Sequence, residues 1–325
     1  MRRRLDEDDV RTRAKRSSRP RTKSRPTFNN LKNAMVTNVD RGRFTCVTDD
    51  GISLSAIKSR DLGRRGVVVG DLVRIQSDSN GNQDSLSRIV EIVDRKNTLR
   101  RSADDNDDTE RIIVANVDLM VIVTATTNPE PRLGLIDRCL TAAFDAHIPT
   151  VLVITKSDLA SPEFLLSQYQ SMGLTIISLK KDGQIEELQK LLEGKHSVFI
   201  GHSGVGKSTL VNRLAPHANR ATGTVNEVTG RGRHTSSSAV AINVGKNTWI
   251  IDTPGIRSFG LAHINADDVV HSFPDCAEVI QECPRGCSHD ETECALNSWA
   301  LNQDQSKRVE SLRRLLRSLR SEEKF

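Results

Sequence analysis

The sequence has few aromatic residues and no long apolar run. Phe, Trp and Tyr together make up 3% of its 325 residues. A helix that crosses a bilayer needs about 20 consecutive apolar residues, and no stretch of the chain approaches that length. The basic start MRRRLDEDDV is not followed by the apolar segment of a secretory signal. We therefore expect no membrane contact and a location in the cytoplasm.

Cysteine is also scarce, which argues against a disulfide framework. The chain holds six cysteines, whereas domains that depend on disulfides are short and rich in cysteine. Three of the six lie within residues 283–294. In a reducing compartment such clustering favours metal binding over a disulfide.

Positive charge is concentrated at the two ends of the chain. Residues 1–25 contain eleven Lys or Arg against four Asp or Glu, and residues 305–325 contain seven against three. The first segment has almost no apolar side chains, so residues 1–30 are predicted to form a disordered basic arm. Such an arm can release counterions from nucleic-acid phosphates. A tail that only solubilises the protein is the alternative.

Residues 31–97 are predicted to form a small β-barrel of the oligonucleotide/oligosaccharide-binding (OB) type. Phe44 is the only aromatic residue of this segment, so stacking of bases on aromatic rings is not expected. A contact with an RNA backbone and a purely structural role both stay open. Turn signals separate short β-rich runs, which lie at Met35–Val39, Arg43–Val47, Ile52–Ile57, Leu72–Ile75 and Leu86–Val93.

An acidic linker is predicted at residues 98–110, and the pattern changes after it. Buried parallel strands alternating with amphipathic helices indicate a doubly wound α/β domain at residues 111–262. Residues 263–325 are predicted to contain the cysteine cluster and a last amphipathic helix. The apolar runs of the α/β domain are Leu119–Thr124, Val151–Ile154, Thr175–Ile177, Val198–Ile200 and Trp249–Ile251.

The segment GHSGVGKST fits the phosphate-loop pattern G-x-x-x-x-G-K-[ST] and lies between a predicted strand and a predicted helix. Its glycines let backbone N–H groups face the phosphates. Lys207 is expected to reach the β- and γ-phosphates, and Ser208 to bind Mg²⁺. The predicted nucleotide-binding residues of the loop are Gly201, His202, Ser203, Gly204, Val205, Gly206, Lys207, Ser208 and Thr209.

The segment DTPG directly follows a predicted strand, about forty residues after the phosphate loop. Asp252, its first residue, can hold Mg²⁺ through a water molecule. Gly255, its last, can offer a backbone N–H to the γ-phosphate. The two residues complete the predicted phosphate and Mg²⁺ contacts.

The segment TKSD, residues Thr155–Asp158, follows another predicted strand. Asp158 can accept hydrogen bonds from N1–H and the exocyclic amine of guanine, so the motif selects GTP over ATP. The stem of Lys156 is expected to lie against the base, with Ser157 between the two. Asn is usual at the first position, and Thr155 departs from that. Ser178, after the next strand, is a candidate for a backbone contact to guanine.

The order of the three motifs is unusual, because ordinary GTPases begin with the phosphate loop. Here the guanine motif comes first and DTPG last. A circular permutation can preserve such a site, since function depends on the spatial arrangement. Permuted order, a preceding barrel and a following Cys/His cluster together resemble the ribosome small subunit-dependent GTPase family, over about residues 31–300. The implied fold is multidomain: an OB-type barrel, a circularly permuted P-loop GTPase domain and a zinc-binding helical domain.

The resemblance also implies an activity and partners. It implies a GTP phosphohydrolase that acts late in the maturation of the small ribosomal subunit. Such an enzyme binds that subunit and its rRNA, hydrolyses GTP with Mg²⁺ when the subunit stimulates it, and is released afterwards. We expect GTP and GDP as ligands and a monomeric chain.

The resemblance further assigns one zinc ion per chain to Cys283, Cys287, His289 and Cys294. The spacing C-x3-C-x-H-x4-C is one residue shorter than the family pattern in its first and last gaps, and Cys276 is an alternative ligand. Four protein ligands indicate a structural site.

The family's GRHT loop carries a histidine that is linked to hydrolysis. The matching segment here makes His234 the candidate that orients water and Thr235 the candidate switch ligand for Mg²⁺. A histidine that only contacts rRNA is the alternative. Ile256 stands where many GTPases have a water-orienting Gln. An rRNA-binding assembly module with incidental turnover therefore stays open beside the enzyme, whereas TKSD argues against an ATPase.

Overall fold

The computed structural model describes residues 31–63, 66–76, 86–102, 110–216, 239–253 and 264–322. The predicted basic arm at residues 1–30 lies outside these ranges, as do His234, Thr235, Gly255 and Ile256. No helix among the described residues combines the length and the apolar character that a membrane crossing requires.

The first unit is a closed five-stranded barrel, as the sequence predicted. β1 pairs with β2 on one side and with β4 on the other, and β5 joins β4 to β3. Apolar side chains that alternate along the strands fill the interior, among them Val36, Ile75 and Ile89. The strands are β1 (Leu31–Asp40), β2 (Arg43–Thr48), β3 (Ser53–Lys58), β4 (Leu72–Gln76) and β5 (Ser87–Ile92).

Part of the predicted acidic linker is a β-hairpin instead. β6 (Thr98–Ser102) pairs antiparallel with β7 (Glu110–Ala115). Leu99 and Val114 are buried in the main core, and this burial explains why the two ends of the segment become strands. The acidic residues 103–109 between the strands lie outside the described ranges.

Among the described residues, the barrel contacts the rest of the chain at Gly70 and along β1, among other places. Gly70, with φ +88°, lies so close to the Ala115 carbonyl that a Cβ there would collide with it. The buried Asn116 side chain donates a hydrogen bond to the Gly70 carbonyl over 2.9 Å. β1 pairs with β12 (Val240–Gly245) through a single residue pair, Asn38 with Val240. The barrel strands and the GTPase-type strands therefore form one continuous sheet.

The second unit is a sheet with strand order β10-β9-β8-β11-β13-β12, in which only β12 is antiparallel. Side chains of β8 alternate between its two faces: Ile122 joins the core that includes α1, and Val121 joins the core that includes α3 and α4. The strands are β8 (Leu119–Ala125), β9 (Thr150–Thr155), β10 (Thr175–Ser178), β11 (His196–Ile200) and β13 (Thr248–Asp252). The helices are α1 (Leu133–Asp145), α2 (Glu163–Tyr169), α3 (Glu186–Leu192) and α4 (Lys207–Leu214).

The C-terminal unit is helical and packs on α1. Its last helix is amphipathic, as predicted, and buries Val309, Leu312, Leu315 and Leu316 in the same core as α1. The described helices of this unit are α5 (Ala266–His271), α6 (Pro274–Ile280), α7 (Ala295–Trp299) and α8 (Gln303–Glu322).

A buried ion pair connects α8 to α1. The Arg314 guanidinium lies 2.9 Å from the Asp137 carboxylate and 4.7 Å from the centre of the Tyr169 ring. The Tyr169 hydroxyl donates to Asp137 over 3.1 Å. Burial raises the pKa of Asp137, and the charge of Arg314 and the hydroxyl of Tyr169 oppose that rise. The arginine therefore compensates a carboxylate that is almost fully buried.

Replacing Arg314 with Met should destabilise the protein by about 3 kcal/mol near pH 7, because Asp137 then lacks its cation. Without Arg314 the folded-state pKa of Asp137 rises further above its unfolded value. A raised carboxyl pKa favours the protonated folded state, so the loss should shrink as the pH falls from about 8 to about 5. Urea unfolding followed by tryptophan fluorescence measures both effects.

Arg308→Met is the matched control, because Arg308 pairs with the more exposed Asp275 and stacks on Phe273. Hydrogen bonds from Arg308 hold the pKa of Asp275 down despite the opposing effect of burial. The loss of unfolding free energy in Arg308→Met should be smaller than in Arg314→Met and should stay constant over the same pH range. Equal, pH-independent losses in the two variants would contradict the assignment of a buried charge to Asp137.

Candidate functional site

The phosphate loop connects β11 to α4 at the carboxyl ends of the parallel strands. α4 begins at Lys207, as the motif predicted. Gly204 and Gly206 have φ values of +85° and +91°, which residues with a Cβ adopt only at a cost. A Cβ on Gly201 would collide with the carbonyl oxygen of Val123 in the neighbouring strand β8. The loop therefore needs glycine at these positions in order to curl.

The side chains of the loop differ in their exposure. Val205 is buried, whereas Ser203, Ser208 and Thr209 are exposed. The His202 ring nitrogen Nδ1 lies 3.0 Å from the Ser203 carbonyl oxygen. Ser208 and Thr209 directly follow Lys207 in the first turn of α4, so both hydroxyl groups are available to a ligand over the loop.

Lys207 and Asp252 form an ion pair at the head of the site. Lys207 begins α4 and Asp252 ends β13, where it pairs in register with Phe199 of β11. The Thr253 hydroxyl donates to the Phe199 carbonyl over 2.8 Å and fixes the end of β13. The phosphate loop and the first residue of DTPG therefore lie side by side. A cation and a carboxylate in this position suit a phosphate group and Mg²⁺.

Thr155 connects three segments of the site. It ends β9, and its buried hydroxyl lies 3.0 Å from the Thr124 carbonyl of β8 and 2.5 Å from the Val205 carbonyl of the phosphate loop. A Cβ placed on Gly206 would lie 3.7 Å from the same hydroxyl oxygen. Thr155, which departs from the usual Asn, therefore joins the guanine motif to the phosphate loop. The sequence did not reveal this role, since the two segments are fifty residues apart.

The rest of TKSD forms a turn that is held by hydrogen bonds, each with a backbone group on at least one side. Lys156 has φ +58° and donates from its ammonium group to the Asn128 carbonyl, while its own carbonyl accepts from Thr126 over 2.7 Å. The Ser157 N–H donates to the Leu179 carbonyl over 3.2 Å. One oxygen of the exposed Asp158 carboxylate accepts from the Lys181 N–H over 2.9 Å.

A cavity of about 330 Å³ brings the guanine motif and the phosphate loop together. Asp158 and Lys156 line one side, and Gly206 and Thr209 line the other. Ser178, the predicted base contact, is not among the lining residues. β10 ends at Ser178, and the residues that follow it reach the cavity. The remaining lining comes from Thr155, Leu159, Leu179, Lys180, Lys181, Leu210 and Arg213.

Three predicted residues of the site cannot be placed. His234, Thr235 and Gly255 lie outside the described ranges. Their proposed contacts with water, Mg²⁺ and the γ-phosphate stay predictions from the sequence. The described part of the site thus comprises the phosphate loop, the guanine motif and Asp252.

The three cysteines and the histidine predicted to bind metal meet in the C-terminal unit. Their ligand atoms all lie within 4.8 Å of one another. Cys283 Sγ lies 3.7 Å from Cys294 Sγ and 3.7 Å from His289 Nδ1. A tetrahedral zinc ion with bonds of about 2.3 Å would separate its sulfur ligands by about 3.8 Å. The four residues therefore fit a metal ion, and Cys276 is not part of the group.

Arginines of α8 hold the cluster loop in place. Arg313 donates to the His289 carbonyl over 2.6 Å. Arg317 and Arg320 pair with Asp290 at 2.8 and 2.6 Å. Burial opposes ionisation of Asp290, but the hydrogen bonds from the two arginines outweigh it and lower its pKa. The arginine-rich face of α8 is therefore partly occupied by contacts within the chain.

Comparisons with known proteins identify the family of the chain. The family model described as RsgA GTPase matches residues 92–262, more than half of the chain. A "Small ribosomal subunit biogenesis GTPase RsgA" from Pseudomonas fluorescens is 38% identical over 78% of this chain and 75% of its own length. The chain belongs to the RsgA GTPase family. A relative of the same name from Ectopseudomonas mendocina is 40% identical over 64% of this chain, and the match spans 63% of that relative's length.

Two solved structures extend the likeness of fold to 88% of the chain. YjeQ from Thermotoga maritima is 25% identical with a TM-score of 0.63, over 88% of this chain and 99% of its own. YloQ, described as a circularly permuted GTPase, is 22% identical with a TM-score of 0.62, over 88% and 96%. The prediction of a circularly permuted GTPase fold is confirmed. The prediction of a GTP hydrolase is confirmed by the family model and the curated relatives.

Proposed function

We propose that the chain is a GTP-dependent switch in the late maturation of the small ribosomal subunit in the cytoplasm. It binds the subunit and its rRNA with GTP bound, and it leaves after the subunit has stimulated hydrolysis. The observation that carries the proposal is the convergence of TKSD, the phosphate loop and Asp252 at one edge of the sheet. The names of the relatives supply the subunit as the partner.

The phosphate loop and Asp252 would hold the phosphates and Mg²⁺. The loop N–H groups and the α4 N-terminus face an anion. Lys207, now paired with Asp252, would turn to the β- and γ-phosphates when GTP enters. Ser208 would bind Mg²⁺ directly, and Asp252 would bind it through water. Mg²⁺ would neutralise the charge that develops on the phosphates during hydrolysis.

TKSD would read the base in the cavity of about 330 Å³. Asp158 has one carboxylate oxygen fixed by the Lys181 N–H, which orients the group towards guanine. Lys156 lines the same cavity and would cover the face of the base. Thr155 would keep this motif aligned with the phosphate loop.

Hydrolysis needs a group that orients water, and Ile256 cannot supply one. His234 is the proposed residue for this role, with Thr235 as a Mg²⁺ ligand and Gly255 as a donor to the γ-phosphate. Docking on the subunit would position these residues, and in this way the subunit would stimulate turnover. The basic N-terminal arm would contribute charge contacts with rRNA.

The Cys/His cluster would hold one zinc ion in a structural role. Three thiolates and one imidazole complete a tetrahedron and leave no position for a substrate. The ion would supply folding energy to a loop that has little apolar core of its own. Since α8 contacts both the loop and α1, the zinc unit would be positioned against the GTPase domain.

Cys294→Ser should weaken zinc binding by at least about a hundredfold, because it removes one of four ligands. Metal content after dialysis against a chelator, measured by mass spectrometry, checks this. Cys276→Ser is the matched control, since Cys276 is a buried cysteine outside the cluster. It should keep one zinc per chain. Retention of zinc by Cys294→Ser, or its loss from Cys276→Ser, would overturn the assigned ligand set.

The second candidate is an rRNA-binding assembly module in which the nucleotide only sets affinity. Ile256 favours it, because an apolar side chain stands where many GTPases have a water-orienting Gln. GTP turnover with and without purified small subunits separates the two functions. The switch requires turnover that rises with the subunit and falls with His234→Ala. Negligible turnover in both conditions, together with nucleotide-dependent co-sedimentation, would favour the module.

A further inference from the structure

We propose that Arg213 is a positioning residue for guanine recognition, acting through the loop that holds Asp158. This inference rests on the proposed function, since it concerns the same nucleotide site. Arg213 belongs to none of the three motifs that the sequence indicated. It lies in the last turn of α4, six residues after Lys207, and it lines the nucleotide cavity.

Arg213 contacts the loop after β10. One guanidinium nitrogen donates to the Lys181 carbonyl over 3.0 Å, and the other donates to the Gly183 carbonyl. The Gly183 N–H in turn donates to the Lys180 carbonyl over 3.1 Å, which closes a turn. The planar guanidinium therefore fixes two carbonyl groups of one turn at the same time, a geometry that an ammonium group cannot reproduce.

The same turn is hydrogen-bonded to the carboxylate of Asp158, the proposed base reader. Lys181, whose carbonyl accepts from Arg213, donates its own N–H to Asp158 over 2.9 Å. Asp158 is exposed, so little besides this hydrogen bond restricts its rotation. Arg213 thus orients Asp158 across two hydrogen bonds without contacting it.

The element that carries Arg213 is α4. The N-terminal end of α4 is the phosphate loop, and its last turn carries Arg213. A single helix therefore positions both the phosphate-binding groups and the guanine-reading loop. The phosphate-binding groups and the guanine-reading loop are thus held in fixed positions by the same helix. Loss of Arg213 would loosen the guanine-reading loop alone.

Arg213→Met retains most of the apolar stem and removes the guanidinium. We expect it to weaken GDP binding by about tenfold, as for the loss of hydrogen bonds from a charged group. The inosine analogue lacks the exocyclic amine that Asp158 reads, so the preference for GDP over IDP should fall by a similar factor. Titration of the full-length protein with fluorescent GDP, in competition with IDP and ADP, measures both quantities.

Arg213→Lys tests whether the two parallel guanidinium hydrogen bonds are needed. We expect this variant to retain less than half of the GDP preference that Arg213→Met loses. Asn212→Ala is the control for α4 itself, because Asn212 is exposed on the same helix. It should leave the preference for GDP over IDP at the wild-type value. Full rescue by Lys would show that charge alone acts, which would overturn the positioning role.

A double-mutant cycle separates positioning from a general effect on folding. In an Asp158→Asn background the base reader is already altered, so Arg213→Met should cause little further change in the ratio of GDP to IDP affinity. Independent, additive effects of the two substitutions would overturn the inference. Wild-type protein that does not distinguish GDP from ADP would instead defeat the proposed function. Wild-type selectivity retained by Arg213→Met would defeat the inference alone.

Discussion

Lys207→Ala is expected to reduce subunit-stimulated GTP hydrolysis by at least about a hundredfold, the cost of removing one preorganised charge from a transition state. The variant loses the cation that begins α4 and now lies against Asp252. No other residue of the loop is positively charged, and the helix N-terminus supplies only a partial charge. Single-turnover hydrolysis with saturating small subunits is the decisive measurement.

Lys207→Ala should lower the rate of the chemical step and the affinity for phosphate, but not the stability of the fold. Asp252 retains partial contact with solvent, so its loss of a partner costs little stability. The melting temperature of Lys207→Ala should therefore stay within about 3 °C of the wild type. Lys190→Ala, on the exposed face of α3, is the control and should hydrolyse GTP normally. Wild-type turnover by Lys207→Ala would remove the phosphate loop from the mechanism.

Asp158→Asn is expected to shift the nucleotide preference by about a thousandfold from guanine towards xanthine, because a bound base would cover Asp158 and a mismatched base would leave hydrogen-bonding groups unpaired. Guanine presents two donors to the carboxylate. Xanthine presents a carbonyl oxygen in place of the exocyclic amine, and an amide can donate to it. Competition between GDP and XDP for the purified protein measures the shift.

Asp182→Asn makes the same chemical change in the neighbouring loop, at an exposed residue that does not line the cavity. It should leave the preference for GDP over XDP intact. Unchanged selectivity in Asp158→Asn would mean that the base lies elsewhere. Arg213→Met should then also be without effect, since its action runs through the same carboxylate.

The position of the nucleotide site could be predicted from the sequence because its signals are local. A phosphate loop needs glycines between a strand and a helix, and Gly201–Thr209 have that context in nine consecutive residues. Asp252 ends one buried strand and Asp158 lies three residues after the end of another. Parallel strands bring their carboxyl ends to one edge of a sheet. The linear order of the motifs did not matter for this argument.

Contacts between distant segments could not be predicted in the same way. Thr155 was seen only as a departure from Asn, since nothing in the sequence indicates that its hydroxyl reaches Val205. Arg213 gives no signal at all, because a basic residue in the last turn of a helix is common. Likewise, the ion pair of Arg314 with Asp137 joins residues far apart in the chain. Such pairs depend on tertiary packing and not on periodicity.

The attachment of the barrel to the GTPase sheet limits how the protein can be divided. A fragment that starts after residue 97 loses Gly70, so the amide of Asn116 would be left in the interior with no acceptor. The same truncation removes β1 from β12 and leaves β12 as an unpaired edge strand. An unpaired edge can pair with other chains. Autonomous expression of the catalytic portion should therefore yield self-associating material, and dissection by point substitution is preferable to dissection by truncation.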